Sequence, residues 1–167
     1  MKNQDFWIKY LQLKPHPEGG FYREVYRSEE KISTTALGER FQKDHSFATS
    51  IYFLLPGNSF SAFHRLKSDE IWHFYTGHAL TLFLLFPDGT LRQEALGPEP
   101  DKGQQFQVVI PHGVWFAARV NQKQSYALVG CTVAPGFEFE DFELAKRDFL
   151  LKKFPQHKTL ISDLTRS

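Results

Sequence analysis

The spacing of hydrophobic positions changes character twice along the chain. Residues 3–13 place Trp7, Ile8 and Leu11 at i, i+1 and i+4, which predicts a short amphipathic helix that Asn3 or Asp5 can cap. From Phe21 the period falls to two. Phe21, Arg23, Val25 and Arg27 take one face and Tyr22, Glu24 and Tyr26 the other, as in a β-strand. Residues 28–45 are polar and without a period, and read as a loop. Between Ser46 and Pro135 strand-like runs alternate with turns: 46–55, 60–66, 70–76, 80–86, 90–96, 106–110, 114–120 and 125–134. Turn residues recur every 8–12 positions or so, the pattern of an all-β sandwich or barrel. Asp88-Gly89 is a strong local hairpin signal, because a type I′ turn needs positive φ at both central residues. Beyond Gly136, Phe142, Ala145 and Phe149 predict a helix over 141–154 that Pro155 ends, and Leu160, Ile161 and Leu164 fit a last short one. There is no repeat and no linker. The expected organisation is one domain over 1–167: an N-terminal helix and arm (1–45), a barrel (46–135) and C-terminal helices (141–165).

Composition narrows the chemistry. Lys and Arg number 20 against 19 Asp and Glu, so the basic surplus that phosphate contacts require is missing and no nucleic-acid partner is expected. The longest apolar run, 79–87, is broken by Thr81 and is too short to span a bilayer. The first residues lack the charged-then-apolar layout of a secretory leader, so a cytoplasmic, non-membrane protein is expected. A lone cysteine, Cys131, excludes an internal disulfide and a thiolate-rich metal site, and its apolar strand marks it as packing. Seven histidines remain as the foremost reactive groups, beside 17 Phe that supply much of the core.

The densest concentration of chemistry lies between Gly57 and Gly77. Alternation puts Phe60, Ala62, His64 and Leu66 on one face of a strand, and Glu70, Trp72 and Phe74 on one face of the next. If both faces point inward, an imidazole and a carboxylate meet inside an aromatic-lined barrel. Apolar walls disfavour charge while the partner favours it, so proton affinity there can be tuned.

The spacing of His64, Leu66, Glu70 and Gly77 resembles the first motif of the cupin superfamily, and Pro111-His112-Gly113-Val114-Trp115-Phe116 resembles the second. Longer runs are similar to one uncharacterised cupin family, the domain of unknown function 985. They are residues 16–24, 50–55, His64-Arg65, Asp69-Glu70-Ile71-Trp72-His73 and 128–137, and together the resemblance covers about 16–144. It implies a single-domain jelly-roll β-barrel with short N- and C-terminal helices, and a homodimer to which the strand over 20–27 can contribute an exchanged or edge-pairing element. The ligand positions of a metal-binding cupin fall on His64, Leu66, Glu70 and Phe116. Leu and Phe have no lone pair to give, so no metal or other cofactor is expected unless an unidentified residue completes the set. His73 falls on the opposite face, and His78 and His112 sit in turns.

Without a metal, His64 is the expected acid or base and Glu70 its orienting partner. The chain also resembles metal-free keto-sugar-nucleotide epimerases, which implies a tyrosine as second proton donor: Tyr22, Tyr26 or Tyr52. The lysine and aspartate of those enzymes have no match here. Arg23, Arg27 or Arg65 can hold an anionic substrate group, with Arg23 favoured. Trp72, Phe74, Trp115 and Phe116 are expected to serve as both wall and pocket lining, and Glu18, in a flexible Glu18-Gly19-Gly20 turn, as a rim residue. Residues 135–142 alternate Phe with acid, which fits an edge segment, a lid or the lead-in to a helix. The expected function is a small-molecule enzyme, metal-independent and isomerase- or epimerase-like, moving a proton on a sugar-type or carbonyl substrate. A non-catalytic ligand-binding barrel and a metal-dependent cupin with an incomplete ligand set stand as alternatives.

Overall fold

A computed structural model describes residues 2–166. Helix α1 (Gln4–Tyr10) opens on Asn3, whose side chain accepts the Phe6 N–H at 3.0 Å. The strands follow in chain order as β1 (Lys14–Pro15), β2 (Phe21–Arg27), β3 (Lys31–Ile32), β4 (His45–Ser46), β5 (Thr49–Pro56), β6 (Ser61–Arg65), β7 (Asp69–Gly77), β8 (Leu80–Leu85), β9 (Leu91–Leu96), β10 (Gln107–Ile110), β11 (Trp115–Val120), β12 (Tyr126–Ala134) and β13 (Glu143–Leu144). A one-turn helix α2 (Thr34–Leu37) interrupts the arm, and α3 (Arg147–Lys153) and α4 (Lys158–Asp163) close the chain. The strands build two antiparallel sheets, ordered β1-β2-β5-β12-β7-β10 and β13-β6-β11-β8-β9, with β3 and β4 paired apart. Among the described residues no helix is long and apolar enough to cross a membrane.

Alternation along each strand sorts side chains into an interior and two outer layers. Inside lie Phe53 and Leu55 of β5, Trp72 of β7, Leu82 and Leu84 of β8, Phe116 and Ala118 of β11, and Val129 and Cys131 of β12. The opposite face of the five-stranded sheet is equally apolar. Phe63, Phe83, Leu85, Trp115 and Ala117 meet Leu150, Phe154, Ile161 and Leu164 of the C-terminal segment there. A smaller layer sets Leu11 and Leu13 on Leu54, Tyr126 and Leu128.

Three stretches differ from the pattern-based expectation. The face assignment of β2 slips at a bulge between Glu24 and Tyr26, which brings Glu24 and Arg27 to one side. The arm joins the barrel, since β2 is hydrogen-bonded to β5. Its outer side carries β1 only at Phe21 and Tyr22 among the described residues. The helix expected from Asp141 starts only at Arg147, because Glu143 and Leu144 extend the sheet along Arg65 and His64.

Candidate active site

The site begins in the turn that the sequence marks as His16-Pro17-Glu18-Gly19-Gly20. The His16 N–H donates to Gly20 O and the Gly19 N–H to His16 O, both at 3.0 Å. Both glycines have positive φ, +115° and +74°. A Cβ on Gly19 would lie 2.3 Å from Phe60 O, and one on Gly20 2.7 Å from Leu54 O, so only glycine lets the turn seat this closely on the barrel. The Ala62 N–H and the Arg166 guanidinium both donate to Glu18 O. Pinned in this way, the Glu18 side chain passes inward and is buried, not placed on the rim.

The partner of His64 is Glu18 rather than Glu70. His64 Nε2 lies 3.1 Å from Glu18 Oε2, and Ser61 Oγ donates to Glu18 Oε1 at 2.7 Å. His64 Nδ1 is 2.7 Å from Ala62 O, which can only accept, so Nδ1 carries a proton. His16 reaches the same carboxyl oxygen, with Nδ1 3.4 Å from Oε2. That nitrogen accepts the Glu18 N–H at 3.3 Å, so in the neutral ring the proton sits on Nε2. Burial drives the His64 pKa down to about 3, with the Ala62 hydrogen bond opposing, and that of His16 to about 4. The Glu18 carboxyl is pushed well above the usual range, first by burial and then by Glu70, against the Ser61 hydrogen bond. His64 Nε2 and His16 Nδ1 thus both lie close to one carboxyl oxygen, and burial favours the neutral form of all three groups.

Glu70 is the contrasting carboxyl. It is buried, its Oε2 has no hydrogen-bond partner among the described residues, and burial raises its pKa to about 7, with Trp72 and Cys131 acting in the opposite direction. Both carboxyls and both histidines line one cavity of about 350 Å³. Tyr22, Phe53, Trp72, Phe137, Phe139 and Phe142 supply aromatic walls, while Lys14, Arg23 and Arg27 are its cationic residues. Arg27 is engaged by Glu24 and Glu138 at 2.9 Å each, and the Arg23 guanidinium lies 3.5 Å from Gln12 Oε1. The acid–Phe alternation at 137–142 is resolved into two faces. The Phe side chains close over His16 and His64, and the acids tie back to the arm.

Of the residues singled out from sequence, His64, Glu70, Tyr22, Arg23 and Trp72 line this cavity, and Tyr52, Phe74, Trp115 and Phe116 do not. Tyr52 faces the layer under α1, Trp115 faces the C-terminal helices, and partly buried Phe74 packs against the core. Phe116 lies behind His64, its ring centroid 4.0 Å from the imidazole. His16 and Glu18 were missed as interior groups. They sit in a turn, where alternation says nothing about facing, and the only signal was the Gly-Gly that lets the turn approach the barrel.

The residues present do not fit a metal ion. The positions opposite His64 and Glu70 are Phe116, packed on the imidazole, and Leu66, part of the wall. The two histidines direct their free nitrogens at Glu18. No group of three or more His, Cys, Asp or Glu side chains is arranged to hold a metal among the described residues.

Two facing antiparallel sheets enclosing a polar site at one end define a cupin-type jelly roll. The chain belongs to the Cupin superfamily (DUF985) family, whose model matches residues 5–145. It is similar to the solved protein SO0799 from Shewanella oneidensis, at 42% identity and TM-score 0.90 over 99% of both chains. A hypothetical protein from Leishmania major matches at 33% identity and TM-score 0.89, over 99% of this chain and 100% of that one. The uncharacterized protein YML079W of Saccharomyces cerevisiae is 30% identical over 154 residues, 87% of this chain and 76% of its own length. Bacillus subtilis oxalate decarboxylase matches 90% of this chain and 36% of its own at 14% identity and TM-score 0.55, a likeness of fold alone.

Proposed function

We propose that this cupin moves a proton on a small carbonyl-bearing ligand of ketose type, in an isomerase- or epimerase-like reaction that uses no metal. Glu70 exchanges a proton with the ligand carbon, and Glu18, held by His64 and Ser61, is the second proton station. One observation carries the reading: Glu70 is a buried carboxyl with an unpartnered oxygen on a walled cavity, beside a second buried carboxyl whose Oε2 lies 3.1 Å from an imidazole nitrogen. A carboxyl with its pKa near 7 gives and takes protons at neutral pH with little driving force wasted. His64, with both nitrogens occupied, acts through Glu18 and does not touch the ligand. Metal independence rests on Leu66 and Phe116, which offer no donor atom.

The test is deuterium uptake at the carbon next to the carbonyl of dihydroxyacetone, erythrulose and fructose, followed by NMR in D₂O with chelator present. The wild type is expected to exchange at least one of them above the buffer rate. Glu70→Gln should lose about 10²-fold or more, the usual weight of a general base. A compound that binds and never exchanges would convert the reading to a non-catalytic binding barrel.

A further inference from the structure

His16 is a titratable group on the cavity to which neither the cupin motif nor the Glu70–Glu18 pair assigns a role. Its ring is wedged among aromatic side chains, with centroids 4.7 Å from Tyr22, 5.7 Å from Phe142 and 6.0 Å from Phe139, so its orientation is fixed. One nitrogen is committed inward: Nδ1 accepts the Glu18 N–H and faces Glu18 Oε2. The other, Nε2, carries the ring proton and makes no hydrogen bond to the described residues, so it is left to the cavity that the ring lines.

We infer that His16 is a catalytic hydrogen-bond donor to the ligand's carbonyl oxygen, with Nε2–H toward the ligand and Nδ1 held by the Glu18 N–H. The inference rests on the proton-transfer reading above and names the group that answers Glu70 across the ligand. In the step, the C–H bond next to the carbonyl breaks and its proton goes to the Glu70 carboxylate. The electron pair becomes the C=C bond of an enolate, whose oxygen accepts the Nε2–H hydrogen bond of His16. One negative charge has passed from Glu70 to the ligand oxygen, and the imidazole keeps its tautomer. Return of a proton to either face of the enolate completes an isomerisation or epimerisation. A neutral imidazole suits this role because it donates a hydrogen bond without bringing a charge of its own into the buried site. The Glu18 N–H at Nδ1 keeps the ring proton on Nε2, where the ligand meets it.

Two measurements decide it. Long-range ¹H–¹⁵N correlation on the ligand-free protein between pH 6 and 8 is expected to show His16 protonated at Nε2 and His64 at Nδ1. A His16 ring protonated at Nδ1 overturns the donor role whatever the exchange assay gives. In the deuterium assay with the same three ketoses, His16→Phe should lose 10²-fold or more. His16→Gln, which keeps a donor near Nε2, should recover at least tenfold of that loss. If Glu70→Gln abolishes exchange while His16→Phe stays within twofold of wild type, His16 has no such role and the Glu70 reading stands. If the wild type exchanges none of the three, the proton-transfer reading fails, and the role of His16 with it.

Discussion

At the scale of single residues, the site is a set of groups whose preferred state in the fold is the neutral one. Glu70 binds its proton more tightly folded than unfolded, with its pKa raised from 4.5 to about 7. The unfolded chain therefore releases this proton at lower pH, so stability from Glu70 is full below about pH 4.5 and is lost as pH rises toward 7. His16 and His64 have the opposite sign. Their pKa values are lowered, so they cost stability as pH falls below 6.5. The two trends overlap, and a variant separates them. Glu70→Gln should be more stable than wild type at pH 8, on the order of 3 kcal/mol for a buried group shifted this far, and the advantage should vanish near pH 4.5. Urea titrations at five pH values check it; a difference that does not change with pH would remove the basis for a raised Glu70. At this scale the sequence was informative about His64 and Glu70, since period two settles which neighbours share a face. Which carboxyl His64 meets was not legible, because Glu18 approaches from a turn 46 positions away, with no periodicity to orient it.

At the scale of elements, two segments turn a generic barrel into this site. The first is the turn at 16–20. Gly19→Ala puts a Cβ 2.3 Å from the backbone oxygen of Phe60 at φ +115°, so the turn must lift off the barrel. The substitution should lower stability by more than about 2 kcal/mol and release Glu18 from His64. Thermal unfolding together with the His64 ¹⁵N shift reads both effects. The second segment is the strap at 137–142. Arg27 holds Glu138 and the Phe137 carbonyl, while fully buried His45 and half-exposed Lys67 meet the two oxygens of Asp141. Asp141→Ala leaves His45 Nε2 without its partner and should cost about 3 kcal/mol in a denaturant melt. Exposed Glu140→Gln should leave the midpoint unchanged. The Phe–acid alternation announced two faces but not their partners, because the side chains that hold the acids come from 27, 43, 45 and 67, far away in sequence and, for 43 and 45, in a stretch without pattern.

At the scale of the whole molecule, the five-stranded sheet separates the site from a second apolar layer, and the separation explains what the sequence left ambiguous. Strand β11 presents Trp115 to the C-terminal helices and Phe116 to the interior. Alternation states that these two residues point opposite ways, yet both faces are apolar along this strand, so polarity cannot say which is inside. That is why Trp115 read as pocket lining alongside Phe116. Jelly-roll architecture and terminal helices, by contrast, followed from turn spacing and from the family resemblance, and both match the observed sheets. Separation of the layers makes a prediction about coupling. Trp115→Ala and Phe154→Ala each remove a large buried side chain from the outer layer and should cost roughly 3–5 kcal/mol. Neither residue touches His16, Glu18, His64 or Glu70, so imidazole ¹⁵N shifts and deuterium exchange in the folded fraction should stay at wild-type values. Phe116→Ala should cost a similar amount but also disturb the site, because its ring supports the His64 imidazole at 4.0 Å. The His64 shift should then move and the exchange rate fall. Equal effects of Trp115→Ala and Phe116→Ala on the His64 shift would mean that the sheet transmits packing changes from its outer layer to the site, and that the terminal helices belong to the catalytic unit rather than to its scaffold.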